Sequence, residues 1–286
     1  MKSKNNITFV IFAYNEEKRI AYSVRNFIKY GEVVIIDNFS TDKTIDIAEG
    51  LGAKVYQFKN PGYVETQEEL DFVRSKINTE YMTWSFADHI WSKELLVKTT
   101  ELIREGTYDG IATVQKNYHY GIENLNFSTY HYKGKKHSQH VRVYKKELMY
   151  CEGTIHGNLR HKCTNIFYMP LEDIFYIHHL SLYNLVKFEI GHSKYSSIES
   201  QMRYDAGEKV SFSLLILKTL GIFIKYYFVD GAWKSGIPGF IMVMQYVFFT
   251  FNIGAKQWEL ENSITLNSIE SNYNIIREKY LTKIEK

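Results

Sequence analysis

Two short apolar runs near the start of the chain constrain its fold more than any other feature. Ile7-Thr-Phe-Val-Ile-Phe-Ala13 runs into Tyr14-Asn15-Glu16-Glu17, and Val33-Val-Ile-Ile36 runs into Asp37-Asn38-Phe39-Ser40-Thr41-Asp42. In both places an apolar strand stops at polar residues that open a helix. Behind the first cluster, Ile20, Val24, Phe27 and Ile28 share one helical face, with Asn15 expected as the N-cap. Behind the second, Ile45, Ile47, Ala48 and Leu51 do the same, with Ser40 or Thr41 as cap and Gly52 as the C-terminal stop. The alternation continues, with strands predicted over 7–13, 33–37, 54–58, 81–86 and 109–115 and helices over 16–30, 42–51, 66–77 and 92–105. Such a pattern predicts an α/β fold, a mostly parallel sheet covered by helices on both faces. Ligands of open sheets of this kind collect at the carboxyl ends of the strands, where the two polar clusters lie. Free amides at the helix starts suit phosphate or sugar hydroxyls, and Asp37 offers an acceptor to a base or ribose.

The segments Ala13-Tyr14-Asn15-Glu16-Glu17 and Asp37-Asn38-Phe39-Ser40-Thr41-Asp42-Lys43-Thr44 resemble the start of a family 2 glycosyltransferase with the Rossmann-like GT-A fold. The resemblance continues through Tyr81-Met-Thr-Trp-Ser-Phe-Ala-Asp88-His-Ile-Trp-Ser-Lys-Glu-Leu95, which is similar to the family's apolar strand, its Asp-x-Asp metal motif and the helix that follows. The nearest branch is the bacterial one that builds lipopolysaccharide core, capsule and other surface glycans. The match is good over residues 6–95, thinner to about 180 and pattern-level beyond.

Transfer from a nucleotide-sugar requires that the leaving diphosphate be neutralised, the acceptor hydroxyl deprotonated and both held in line. The resemblance implies nucleotide contacts at the backbone of Ala13 and Tyr14, at Glu16, at Asp37 and at Ser40, with Arg142 steadying the diphosphate. Asp37 accepting from a uracil N–H favours UDP-sugars. The resemblance also implies a divalent cation, Mn2+ or Mg2+, acting as Lewis acid and template. The motif here reads Phe86-Ala87-Asp88, so its first carboxylate is missing and Asp88 alone holds the second position. His178-His179 closes the apolar run Ile174-Phe-Tyr-Ile177, and His179, ahead of His178, is the expected second ligand. Asp88 as a helix cap before Ser92 and His179 as a structural histidine are the plainer alternatives. For the general base, Glu152 and His156 are the candidates. The position where the family's Val-His-Glu signature would place its carboxylate is Gly157, and Glu172-Asp173 is a further acidic pair.

Composition narrows the field from the other side. A net charge of +3 with no long basic run argues against a nucleic-acid partner. No G-x-G-x-x-G or Walker loop is present, which disfavours dinucleotide oxidoreductases and P-loop enzymes. Cys151 and Cys163 match no zinc spacing and read as reduced thiols of a cytosolic protein. The apolar run from Ile7 is short and followed at once by two glutamates, so a signal peptide is not expected. The 23 Tyr and 18 Phe suit sugar stacking and membrane interfaces, and suit an AT-rich genome equally.

Two domains are expected: residues 1–180 as the nucleotide-sugar-binding catalytic domain and 181–286 as a helical region. In the latter, 182–203 reads as a helix. In 211–229 the polar residues Ser211, Lys218 and Lys225 recur every seventh position on an otherwise apolar helix. The run Phe240–Ile253 is short for a bilayer span and the first segment carries two lysines, so in-plane or re-entrant helices fit better than crossing ones. A helical hairpin buried against the catalytic domain or in a homo-oligomer is the alternative. The expected function is an inverting, metal-assisted glycosyltransferase on the inner face of the cell membrane. It moves a sugar from a nucleoside diphosphate to a glycan or polyprenyl-linked acceptor. A non-catalytic homologue that binds nucleotide-sugar or glycan is the competing expectation, because carboxylates are missing at Phe86 and Gly157.

Overall fold

The computed structural model describes residues 5–61, 65–123, 139–152, 159–181 and 184–284. The chain divides into two compact units, residues 1–184 and 185–286.

The first unit contains β1 (Ile7–Ala13), α1 (Ile20–Phe27), β2 (Glu32–Asp37), α2 (Thr44–Gly50), β3 (Lys54–Gln57), α3 (Gln67–Lys76), β4 (Tyr81–Phe86), β5 (His89–Trp91) and α4 (Lys93–Glu105). There follow β6 (Gly110–His119), β7 (Ile122–Glu123), β8 (His140–Lys145), β9 (Met149–Cys151), β10 (Leu159–His161), β11 (Ile166–Tyr168) and β12 (Tyr176–Leu180). The main sheet runs β3-β2-β1-β4-β8-β6-β12-β5. β1, β2, β3 and β4 are mutually parallel, and β12 is parallel to β6. β8 lies antiparallel between β4 and β6, and β5 antiparallel on the outer edge of β12. β9 and β10 form a separate antiparallel ribbon.

The alternation within β1 shows why the apolar runs have no polar face. Phe9 and Ile11 join α1, α4 and Trp91 on one side, while Val10 joins Leu70 and Val73 of α3 on the other. Phe9 and Phe27 stack at 4.5 Å between centroids, and Trp91 meets both edge-on at 6.0 and 5.8 Å. Truncating a ring so buried costs about 3–5 kcal/mol, so Phe27→Ala would remove much of a domain's net stability.

Helix starts depart from expectation. α1 begins at Ile20 with no side-chain cap, and Asn15 instead takes a left-handed conformation at φ 54°. Its Oδ1 accepts from Thr41 N at 2.8 Å, across the strand ends. Asparagine tolerates that backbone region, which lets it bridge two tips rather than cap one helix. Neither Ser40 nor Thr41 caps α2. That helix starts at Thr44, whose N donates to Asp42 Oδ1 at 3.0 Å, while Ser40 turns inward. The Ser92 side chain does cap α4, accepting from Leu95 N at 3.4 Å.

The second unit comprises α5 (Leu185–Asp205), α6 (Phe212–Ile224), α7 (Gly236–Glu261) and α8 (Leu266–Ile284), with a π turn over Lys225–Val229 closing α6. α7 is far longer than the apolar run Phe240–Ile253 suggested. Pro238 falls in its first turn, where a missing N–H is harmless, and polar residues continue the helix beyond Ile253. Gly239 and Gly254 permit close packing within the unit: a Cβ would lie 2.1 Å from Ala232 O at the former and 2.6 Å from Leu215 Cδ1 at the latter. Lys256 Nζ ties α7 to α5 through the hydroxyls of Ser193, Ser196 and Ser197 and the carbonyl of Ser193. The segments Phe212–Val229 and Ala232–Glu261 are long and apolar enough to cross a membrane, and none of the first is buried.

Candidate active site

Register brings the two polar clusters together. Ala13 pairs with Asp37 at the carboxyl ends of β1 and β2, so Tyr14 and Asn38 leave the sheet side by side. Ser40 N donates to Asp37 Oδ2 at 2.8 Å, Ser40 Oγ donates to Asp37 Oδ1, and Asn15 N donates to Ser40 Oγ at 2.8 Å. Glu16 N donates to Thr44 Oγ1 at 2.7 Å, and Glu17 N to Asp42 Oδ2 at 3.0 Å. Ala13 and Asp37 are buried, whereas Tyr14 and Phe39 are 43% and 50% exposed. Asp37 thus organises the turn, and the tip presents the rings of Tyr14 and Phe39 outward beside exposed Asn15, Glu17 and Thr41. Behind it, Asn38 Nδ2 donates to Asn60 O, Asn60 N to Asn38 Oδ1, and Asn60 Nδ2 to the buried carboxylate of Glu69 at 3.2 Å. Burial pushes Glu69 up to about 7; the Asn60 bond opposes this and the charge of Glu65 adds to it.

The first cluster is joined to a second through Arg19. Its guanidinium grips Glu16 with two bonds, Nε–Oε2 at 2.6 Å and Nη2–Oε1 at 2.5 Å, and its Nη1 lies 3.9 Å from Asp88 Oδ2. Asp88 sits in the turn between β4 and β5. Leu180 N donates to its carbonyl at 2.9 Å, which clamps this turn against β12. Because β5 and β12 pair His89 with His179, the three side chains converge. One ligand atom from each of Asp88, His89 and His179 lies within 4.8 Å of the others. His179 Nε2 is 3.4 Å from Asp88 Oδ2 and 3.0 Å from Ser181 Oγ, and His89 Nδ1 is 3.1 Å from Ser85 Oγ.

The electrostatics of the cluster are uneven. Burial alone would raise the Asp88 carboxyl. The hydrogen bond and charge of His179, with His89 and Arg19, outweigh that and hold it well below the usual carboxylate range. Burial, aided by His179, pushes the His89 imidazole down to about 3, so at neutral pH it is an uncharged ring with a lone pair to offer. Asp88 Oδ1 is buried with no hydrogen-bond partner among the described residues. A buried carboxylate oxygen left without a donor is expensive. An anionic oxygen and two imidazoles form a donor set suited to a divalent cation of intermediate softness such as Mn2+. Two ligand atoms on one ion lie at most about 4.2 Å apart when each bond is roughly 2.1 Å, so a small contraction of the cluster suffices. The residues fit the group.

Other expected residues fall elsewhere. Arg142 Nη2 donates to Gln115 Oε1 at 2.9 Å, while its Nε is buried with no hydrogen-bond partner among the described residues. Glu152 is exposed just after β9, in the separate ribbon, and among the described residues no hydrogen bond or ion pair joins it to Asp88 or His179. His156 lies outside the described residues. His178 is on β12 beside the rings of Tyr176 and Tyr118, at 4.8 and 5.3 Å. Phe86, in place of the family's first carboxylate, is 39% exposed and meets the His89 ring edge-on at 5.4 Å. Sequence reasoning passed over His89, Arg19, Gln115 and Asn117. Adjacency to Asp88 was a legible signal for His89; nothing local marked the others.

In an open α/β sheet, polar residues at the carboxyl ends of neighbouring strands mark the place where a ligand binds. The model of the family described as glycosyl transferase family 2 matches residues 8–167, and the chain belongs to this family. It is a glycosyltransferase, and the observed sheet is the GT-A arrangement that membership implies. It is similar to an uncharacterized glycosyltransferase of Rickettsia typhi, 26% identical over 88% of this chain and 86% of the relative. A lipopolysaccharide core biosynthesis glycosyltransferase of Rhizobium meliloti is 30% identical over 23% of this chain and 25% of its own length. Among solved structures, glucosyl-3-phosphoglycerate synthase from Mycobacterium tuberculosis, in complex with Mn2+, UDP and glucosyl-3-phosphoglycerate, aligns at 15% identity. That alignment covers 73% of this chain and 82% of the synthase, with a TM-score of 0.43.

Proposed function

We infer that this protein transfers a hexose-like sugar from a nucleoside diphosphate donor, with UDP favoured, to a lipid-linked or surface-glycan acceptor, with inversion and with the help of a divalent cation. The observation that carries the reading is the convergence of Asp88, His89 and His179 beside the β1–β2 tip, linked to it by Glu16 and Arg19. Asp88, His89 and His179 would hold the cation, which supplies Lewis-acid neutralisation of the leaving diphosphate. Tyr14 and Phe39 offer faces for a base, while the backbone of Ala13 and Tyr14 orients it. Asp37 and Ser40 act by holding the turn rather than by direct contact. Glu16 restrains Arg19 so that its third nitrogen stays near the charged centre. Proton abstraction from the acceptor is left to the 152–156 segment, with Glu152 and His156 as candidates.

The second unit supports a place on the inner face of the cell membrane. On α6, Leu215, Thr219 and Ile222 are half-buried, whereas Leu217, Leu220 and Ile224 are 66%, 54% and 54% exposed. Lys218 and Lys225, seven residues apart, form one stripe along an edge of that face, as suits an in-plane helix on an anionic surface. Such an anchor keeps a lipid-linked acceptor within reach.

A panel of nucleoside diphosphate sugars with Mn2+, read first by thermal shift and then by release of nucleoside diphosphate with a lipid-linked acceptor, tests the catalytic reading. One donor should raise the melting temperature and turn over; binding without turnover would favour the non-catalytic homologue. For the anchor, Leu217→Glu with Ile224→Glu should abolish cosedimentation with anionic vesicles. Unchanged sedimentation, or conversion of a lipid-free dimer to a monomer, would replace the membrane by another occupant.

A further inference from the structure

We propose that Arg142, Gln115 and Asn117 form a one-way hydrogen-bond relay that fixes the His179 ring as a donor at Nδ1, leaving Nε2 directed at Asp88. Gln115 and Asn117 lie two residues apart on one face of β6, and Asn117 is the register partner of His179 on β12. Arg142 Nη2 donates to Gln115 Oε1 at 2.9 Å, Gln115 Nε2 donates to Asn117 Oδ1 at 2.6 Å, and Asn117 Oδ1 lies 3.1 Å from His179 Nδ1.

The direction of this relay follows from donor chemistry. A guanidinium has no acceptor, so Gln115 must turn its oxygen toward Arg142 and its NH2 away. That NH2 can only donate, so Asn117 must present its oxygen. An oxygen facing His179 Nδ1 requires a proton on that nitrogen. The alternative has Nδ1 bare and accepting from Gln115 Nε2, 3.0 Å away. The three atoms then form a nearly equilateral triangle, with both acceptors roughly 65° apart at the amide nitrogen, whose hydrogens diverge by about 120°. One amide cannot serve both acceptors well, and the bare Nδ1 would face the Asn117 oxygen lone pair to lone pair. A carbonyl oxygen accepts over a broad range of directions, so two donors converging on Asn117 Oδ1 are tolerated.

The consequence reaches the ligand cluster. With Nδ1–H held, the nitrogen facing Asp88 Oδ2 at 3.4 Å is Nε2. It is the atom that must be free of hydrogen when a cation is held, and the relay supplies the tautomer in which it can be. Asn117 and Gln115 are therefore positioning residues, and Arg142, expected at the diphosphate, is the anchor that sets the polarity. This rests on the metal-assisted reading for its purpose but not for its geometry.

Two measurements on the full chain separate the two. Nitrogen-15 histidine spectra of the cation-free protein at neutral pH should show His179 protonated at Nδ1 in the parent. Protonation at Nδ1 should be lost or mixed in Asn117→Leu and Arg142→Leu and retained in Asn117→Asp, whose carboxylate still accepts. Mn2+ titration followed by electron paramagnetic resonance should show Asn117→Leu weakening the cation about 10–100-fold, the range for outer partners of a metal-ligating histidine, with Asn117→Asp recovering most of it. A bare Nδ1 in the parent, or a parent-like Nδ1 signal in Asn117→Leu, overturns the relay. A relay intact by nitrogen-15 with no Mn2+ binding beyond that of Asp88→Ala overturns the metal-assisted reading instead.

Discussion

The tip of β1 and β2 and the Asp88 cluster adjoin each other but are built differently. At the tip, the partners lie within about one βαβ unit of each other: Asn15 with Ser40 and Thr41, Glu16 with Thr44, Glu17 with Asp42. The cluster draws His89 and His179 together across 90 residues through β5–β12 pairing, and Gln115 and Asn117 join them from β6. Hydrogen bonds lock the tip, and its one buried acid, Asp37, has donors for both oxygens. In the cluster, a carboxylate oxygen is left without one. A satisfied region stabilises the fold; one that concentrates charge and leaves lone pairs over is poised for a ligand.

The largest test of this contrast is Asp88→Ala. Sugar transfer should fall by about 1000-fold or more, the scale of losing one strong electrostatic contact to a transition state. The melting temperature should hold or rise, because a desolvated charge is removed. A steady-state assay beside calorimetry would show it; turnover within threefold of the parent ends the case for the cluster. Next, His89→Ala should weaken Mn2+ by about 100-fold or more, because losing a direct ligand exceeds the roughly 10–100-fold cost of losing an outer partner. Equal affinity in a competition titration would reduce the site to Asp88 and His179.

Behind the tip, the effect turns on pH. Glu69 titrates at about 7 in the folded chain against 4.5 as a free side chain, so the folded state holds its proton more tightly. Its contribution is fully present below pH 4.5 and is lost as pH rises through 7, by at most about 3 kcal/mol. Glu69→Gln should flatten that decline and leave the variant more stable than the parent at pH 8; parallel urea melts at pH 5 and pH 8 would decide. The smallest effect is Ser40→Ala, at about 1–2 kcal/mol of stability, because it removes one bond to Asp37 and one from Asn15 N. If it instead removes activity with stability unchanged, the tip touches substrate directly and the contrast drawn above is too strict.

This same difference decides what could be read from the chain. β1, β2, β4 and the helices between them follow from apolar runs and stripes that are local in sequence, and Tyr81–Phe86 spans the expected strand. Asp88 was legible through the resemblance of Phe86-Ala87-Asp88 to the family's Asp-x-Asp motif. The caps misled because Asn15 and Ser40 accept from amides of each other's strand end rather than from their own helices, a choice made by tertiary register. The hydrogen bond that Arg142 makes to Gln115 was not foreseen, for a different reason. Its partner depends on which strand β8 lies beside, and β8 enters between β4 and β6 against the order of the chain. Nothing in the spacing of His140–Lys145 announces that insertion. The length of α7 was underestimated because apolarity, and not backbone propensity, was used to bound it.

The position of β8 has a consequence for biogenesis. As the polypeptide leaves the ribosome, β1 to β4 can assemble in order, but the free edge of β4 has no neighbour until residues 140–145 emerge. β6, made earlier, must wait for the same segment before it is tied to that edge, and β12 arrives later still. The half that carries the β1–β2 tip is thus complete well before the half that completes the Asp88 cluster. A nascent chain stalled before residue 176 would carry Asp88 and His89 without His179, the tip without the third member of the cluster beside it.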